Sequence, residues 1–242
     1  MTLKDQHVVV VGGSSGIGFA VAAGAAAQGA RVSIASSSPA NVEAATARLG
    51  NAGAGFTVNV TDRADVERAF AGVEPIDHLV FTAGDWGGPR RGALKDLDLD
   101  VAPGLFAVRF WGAMAVVKAA LPKIAPEGSI TLTNGMIAHR PRPGSAVSSA
   151  MAGAVEHLAR GLAVELAPLR VNCVCPGLIR TEVWNSIPAE SREERLKTMT
   201  ANQPVPRVGE ADEAALAYLF LMTCGYATGQ VLKVDGGFGI IP

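Results

Sequence analysis

The sequence predicts an α/β protein: a Rossmann-like, doubly wound parallel sheet of about seven strands, built as a single domain over residues 1–242. Three observations carry that expectation. Short apolar runs of strand length alternate with longer helical patterns along the whole chain. The strand runs are nearly continuous in Val, Ile, Leu and Thr, as strands covered on both faces must be. No repeat, low-complexity tract or linker offers a place to divide the chain.

Each element has its own warrant. Residues 7–11 are apolar and β-branched after His7, and they run through a Gly/Ser-rich turn into an Ala-rich helix over 17–28. Strands follow over 31–35, 56–60, 78–82, 129–133, 170–175 and 230–234. Helices are expected over 41–49, 64–71, 98–123, 148–166 and 211–222. Right-handed crossovers between such strands place ligands at their carboxyl ends. The stretch 183–206 breaks the pattern: it is polar, lacks a strand and is bounded by Pro188 and Pro204, so it reads as a mobile helical flap over the site.

Composition excludes several classes. Hydrophobic residues make up 49% and the net charge is −1, which rules out wholesale disorder and gives no basic face for nucleic acid. Three cysteines, Cys173, Cys175 and Cys224, cannot form a disulfide framework. His7, His78, His139 and His157 are scattered, so no metal site is expected. Residues 8–30 carry no charge and have the length of a membrane span, but glycines and serines interrupt them, and Asp5 sits where a signal peptide would be basic. The expectation is a cytoplasmic protein without a membrane partner.

The turn Gly12-Gly13-Ser14-Ser15-Gly16-Ile17-Gly18 lies between a strand and a helix. There, glycines allow backbone to approach a pyrophosphate, and the helix N-terminus supplies N–H groups and positive partial charge. In this context the chain resembles the short-chain dehydrogenase/reductase superfamily over nearly its whole length. The turn is similar to that family's TGxxxGxG signature, with Val11 in place of Thr. Ala83-Gly84 resembles the end of its NNAG segment, and residues 170–177 its RVNxxxPG segment, followed by Thr181 at a nicotinamide-contacting position. Residues 228–237 resemble its C-terminal strand and turn.

The resemblance implies a nicotinamide dinucleotide. Gly12, Ser14, Ser15, Gly16, Ile17 and Gly18 would cradle its phosphates, and Asn59 and Val60 would flank the adenine. Ala83 and Gly84 would line the ribose, with Pro176, Gly177 and Thr181 on the nicotinamide side. The second strand ends in Ala35-Ser36-Ser37-Ser38 with no carboxylate to hold a 2′-hydroxyl or repel a 2′-phosphate. Ser36 and Ser37 can donate to a phosphate, so NADP(H) is expected over NAD(H).

The family's Asn-Ser-Tyr-Lys tetrad is not matched. Registering the helix over 148–166 on the family pattern places Ser148 at Tyr, Ala152 at Lys and Gly135 at Ser. Arg109 falls at Asn, a permanent cation able to bind a carboxylate or an oxyanion. Candidate catalytic residues are therefore Arg109, Asn134, Ser148 and His139, the last because imidazole titrates near neutrality. Asp85 and Trp86 are expected at the pocket border, whereas Phe110, Trp111 and Trp184 read as core or flap packing. The expected function is an atypical NADP(H)-dependent oxidoreductase acting on a small-molecule substrate without a Tyr/Lys acid–base pair. An iminium or a conjugated alkene suits that chemistry. The alternative is a non-catalytic dinucleotide-binding sensor or scaffold. The small residues of the 148–166 helix, together with the resemblance, imply a homotetramer or homodimer.

Overall fold

A computed structural model describes residues 2–85 and 88–241; Trp86 lies outside the described residues. Strands β1 (His7–Val11), β2 (Arg31–Ser36), β3 (Gly53–Thr57), β4 (Ile76–Phe81), β5 (Ile124–Thr133) and β6 (Arg170–Pro176) belong to one sheet. With β9 (Val231–Val234) they form seven parallel strands in the order β3-β2-β1-β4-β5-β6-β9. The chain order reverses between β1 and β4, the switch point at which such sheets bind ligands. A second, two-stranded ladder pairs β7 (Ile179–Arg180) with β8 (Gly209–Glu210).

Helices α1 (Gly16–Ala27), α2 (Pro39–Leu49), α3 (Arg63–Ala71), α4 (Ala113–Ala120), α5 (Ala146–Glu165), α6 (Ala189–Thr200) and α7 (Ala211–Thr223) complete the fold. The pleat explains why β1 is apolar throughout. Val9 and Val11 enter a core with β4, α4 and α5, while Val8 and Val10 enter the opposite core with α1 and α7. None of the described helices is long and apolar enough to cross a membrane.

Two expectations are corrected. The third strand is Gly53–Thr57 rather than 56–60. Val58 and Val60 are buried beyond its end, so their hydrophobicity reports burial rather than pairing, and Gly53, Ala54 and Gly55 give little strand signal. The single helix over 98–123 is a 3₁₀ turn (Ala102–Leu105), a π-helical segment (Ala107–Gly112) and α4, and β5 begins at Ile124. Asp98 starts this region as a turn, its Oδ1 accepting from the N–H groups of Asp100 and Val101 at 2.9 and 3.3 Å. The stretch after Thr181 is helical, with a 3₁₀ turn over Glu182–Ser186 followed by α6.

Arg170 fastens β6 to the end of α7. Its Nη1 donates to the carbonyls of Leu221, Cys224 and Ala227 at 2.6, 3.0 and 3.2 Å, and its Nη2 to Met222 at 2.8 Å. The Leu221 and Met222 carbonyls lie in the last turn of α7, where helix carbonyls lack intrahelical partners, so the guanidinium closes the helix C-terminus and ties it to the turn that follows. Arg170→Ala is expected to lower the unfolding free energy by about 3 kcal/mol, because buried acceptors lose a charged donor. Urea denaturation measures it; a loss under about 1 kcal/mol would mean that water replaces the donor.

Candidate active site

A cleft of about 1060 Å³ opens along the carboxyl ends of β1, β2, β4, β5 and β6. Its size suits a large ligand with a smaller one beside it. Gly12, Ser14, Ser15, Gly16, Ile17 and Gly18 line it at the α1 end, with Ser36, Ser37, Asn41, Asn59 and Val60 beside them. Ala83, Gly84, Pro176, Gly177 and Thr181 line the middle.

Close backbone contact explains two of these glycines. A Cβ on Gly12, whose φ is +86°, would stand 2.5 Å from the Ala83 nitrogen, and one on Gly18 would stand 2.2 Å from the Gly12 carbonyl oxygen. Only hydrogen fits at either position, so β1, the turn and α1 draw together at the switch point. The turn then exposes donors. The Gly16 N–H donates to Glu182 Oε2 at 2.8 Å, which places a carboxylate oxygen on the cradle where a phosphate is expected. Helix α1 has no acidic residue in its first turn and no side-chain cap, so the positive end of its dipole faces the cleft. The residues present fit a dinucleotide pyrophosphate.

At the β2 end, the Ser38 hydroxyl is occupied as the cap of α2, accepting from Asn41 N–H at 3.3 Å. Ser36 and Ser37 remain at the cleft wall. Asn59 is fixed by its own turn: its N–H donates to Asp65 at 2.6 Å, and its Oδ1 accepts from the Thr61 hydroxyl at 2.8 Å.

Arg109 projects from the π-helical segment into the cleft. Such wide turns recur at functional sites. Its Nη1 donates to the Asn134 carbonyl at 3.0 Å, while its Nε is shut off from solvent without a hydrogen-bond partner. The guanidinium lies over Gly84: a Cβ there would meet Nε at 2.4 Å and Nη2 at 2.5 Å. Burial pulls its pKa below the usual arginine value, opposed by Tyr218 and Asp85 nearby. Among the described residues, no carboxylate forms an ion pair with it.

Ser148, Ala152 and Gly135 line the same cleft. Among the described residues, no tyrosine or lysine does so. Tyr218 is fully buried, its hydroxyl 2.8 Å from the Thr133 hydroxyl, and Tyr226 is fully exposed. Asn134 is buried and lines the cleft; its Nδ2 donates to Glu156 Oε1 at 2.5 Å.

His139 is placed differently from the expectation. It is not among the cleft-lining residues, and its Nε2 lies 2.7 Å from Glu156 Oε1, behind Asn134. The 3₁₀ turn Met136–Ala138 carries its side chain to the back of the site, which position in sequence alone does not reveal. The ligand atoms of His139, Glu156 and Cys175 lie within 4.8 Å of one another, though Glu156 Oε1 is already occupied by both Asn134 and His139. Burial raises the Cys175 thiol to about 12.

Glu156 was not singled out from the sequence, yet Ser148, Ala152 and Glu156 are spaced i, i+4, i+8 on one face of α5, which is a legible signal. Glu182 was missed likewise. Trp111 is 55% exposed rather than packed in the core, and Trp184 lines the cleft with its Nε1 donating to the Ile179 carbonyl at 2.9 Å.

Comparison with known proteins fixes the family. The sequence model described as "Enoyl-(Acyl carrier protein) reductase" matches residues 11–239. The chain belongs to the short-chain dehydrogenase/reductase family. Within it, the "Short-chain dehydrogenase/reductase malC" of Malbranchea aurantiaca is 35% identical, covering 97% of this chain and 95% of that protein. The human "3-oxoacyl-[acyl-carrier-protein] reductase" is 32% identical, covering 98% of this chain and 99% of its own. A solved structure of a Pseudomonas aeruginosa PAO1 short-chain oxidoreductase superposes with a TM-score of 0.89 at 26% identity, covering 99% and 100% of the two chains. Its description gives it bound NADPH and "an Atypical Catalytic Center". The dehydrogenase/reductase fold and the single seven-stranded parallel sheet of this chain agree with such structures.

Proposed function

We propose that this short-chain dehydrogenase/reductase is an NADP(H)-dependent reductase that works without a Tyr/Lys acid–base pair. Its substrate on this reading is a conjugated carbonyl compound. The observation that carries the reading is the inward guanidinium of Arg109, with a buried, unpartnered Nε, in a cleft whose described lining includes no tyrosine or lysine.

The dinucleotide would lie with its pyrophosphate on Gly12–Gly18 and its 2′-phosphate toward Ser36 and Ser37. When bound it supplies the hydride. The chain's own residues must then manage charge rather than protons. Reduction of a conjugated carbonyl at its β-carbon moves negative charge onto the carbonyl oxygen. A preorganised guanidinium stabilises that charge without giving up a proton. Solvent protonates the α-carbon afterwards, so the high pKa of the Ser148 hydroxyl is no obstacle. A permanent cation opposes binding of a cationic iminium, which favours the conjugated carbonyl of the two suitable classes. The NADPH-bound relative with an atypical centre, and the enoyl reductase description of the matching family, support this reading.

The test is steady-state turnover of small enones and enoyl thioesters with NADPH, alongside calorimetry with both cofactors. NADPH is expected to bind about tenfold more tightly than NADH, about 1.4 kcal/mol, because the β2 end offers hydroxyl donors and no repelling carboxylate. Tighter NADH binding would overturn the cofactor assignment. Tight NADPH binding with no turnover of any conjugated carbonyl would favour the non-catalytic alternative, a dinucleotide-binding sensor or scaffold.

A further inference from the structure

We propose that the substrate carries an anionic handle, a phosphate ester or a carboxylate, which docks on an arginine rim of Arg91, Arg140 and Arg142. The inference rests on the reading of the cleft as a reductase site.

Charge in the cleft is uneven. Arg91, Arg109, Arg140 and Arg142 line it, against the carboxylates Asp85 and Glu182. Asp85 is paired, 3.1 Å from Arg90, and Glu182 is held at the β1 turn by the Gly16 N–H. Among the described residues, neither Arg91 nor Arg142 forms an ion pair.

The rim is assembled from two loops that touch. A Cβ on Gly144, in the loop after β5, would stand 3.4 Å from both the Ala93 nitrogen and the Gly92 carbonyl carbon, in the loop after β4. Arg91 and Arg142 therefore sit on neighbouring backbone. The Arg142 position is built rather than loose: its N–H donates to the Ser145 hydroxyl at 2.7 Å, and that hydroxyl donates back to the Arg142 carbonyl at 2.6 Å. Arg140 and Arg142 group around one ring, their guanidinium carbons 5.3 and 5.6 Å from the centre of Phe238. Arg140 also donates to the Ile241 carbonyl.

The cofactor phosphates do not account for Arg140 and Arg142. These phosphates belong to the turns after β1 and β2, whereas Arg140 and Arg142 follow β5, two strand spacings from β1 and three from β2 in the sheet order. Those are about 10 and about 14 Å at the usual spacing between strands, while Arg91 follows β4, beside β1. A cluster of guanidinium groups on the cleft wall matches a carboxylate or phosphate bidentately and steers it inward. The reactive end of the same molecule then reaches Arg109.

The experiment uses the NADPH-loaded protein and two matched pairs. Crotonyl-CoA against neutral crotonyl-pantetheine probes a phosphate handle; monomethyl fumarate against dimethyl fumarate probes a carboxylate. Binding is measured by calorimetry and turnover by NADPH absorbance. In at least one pair the anionic member is expected to bind about tenfold more tightly, and the pair that does so identifies the source. The preference should shrink between about 20 and about 300 mM NaCl. It should vanish in the double variant R91E/R142E and survive in R91K/R142K, with circular dichroism reporting the fold. Equal binding within both pairs, or a preference untouched by R91E/R142E, overturns the rim. An intact anionic preference without turnover of any compound would support the rim and overturn the reductase reading.

Discussion

Arg109→Ala is expected to lower kcat/KM for a conjugated carbonyl substrate by about 10²–10³-fold, mostly in kcat. That is the usual cost of removing one preorganised oxyanion donor. The split follows from when the charge appears. A ground-state carbonyl oxygen is only weakly negative, so binding loses little; the reduced oxygen carries a full charge and loses a buried cation. Arg109→Lys should recover part of the rate, because a point charge remains but the fixed fork is lost. NADPH titration separates the roles, since an Arg109→Ala protein that binds NADPH normally has lost chemistry rather than its cleft. Folding should survive, because among the described residues Arg109 makes a single hydrogen bond, and alanine relieves the cost of a buried, incompletely paired charge. Unchanged kcat in a folded Arg109→Ala protein would leave Arg109 a structural residue only.

The parts of the fold and site that were legible in sequence are those set by local rules. Apolar runs marked five of the seven sheet strands closely and the buried second half of β5, because a doubly covered strand must be apolar on both faces. The third was misplaced because burial and pairing part company at Val58 and Val60. The glycine turn was readable because its requirement, no Cβ at Gly12 or Gly18, is a backbone fact. The break in the 98–123 helix was not readable. A π-helical segment has no distinct residue pattern, and it resets the direction of every side chain after it. Direction also defeated the expectation for His139, whose neighbour in sequence, Arg140, lines the cleft while His139 faces Glu156. Buried pairings such as Asn134 with Glu156 span 22 residues and leave no local trace in composition.

The contact between Gly84 and Arg109 yields the second large effect. Gly84 was singled out as a ribose-lining glycine, yet a methyl group there would lie 2.4, 2.5 and 2.7 Å from Nε, Nη2 and Cζ of Arg109. Contacts that short cannot persist, and what yields is the mobile end of a long side chain rather than backbone. Gly84→Ala is therefore expected to keep the fold and push the guanidinium off its place by about an ångström or more. A misplacement of that size costs about 10²-fold when a preorganised group is involved. The kcat loss should approach that of Arg109→Ala, and the two changes should not add. In the Arg109→Ala background Gly84→Ala should cost under about threefold, because the atoms it displaces are gone. Measured kcat values around this double-mutant cycle decide the matter. If the losses multiply, Gly84→Ala acts on the cofactor instead, and NADPH affinity should fall with it. If they do not, the glycine at this position serves Arg109, and the guanidinium's exact placement is what the reaction needs.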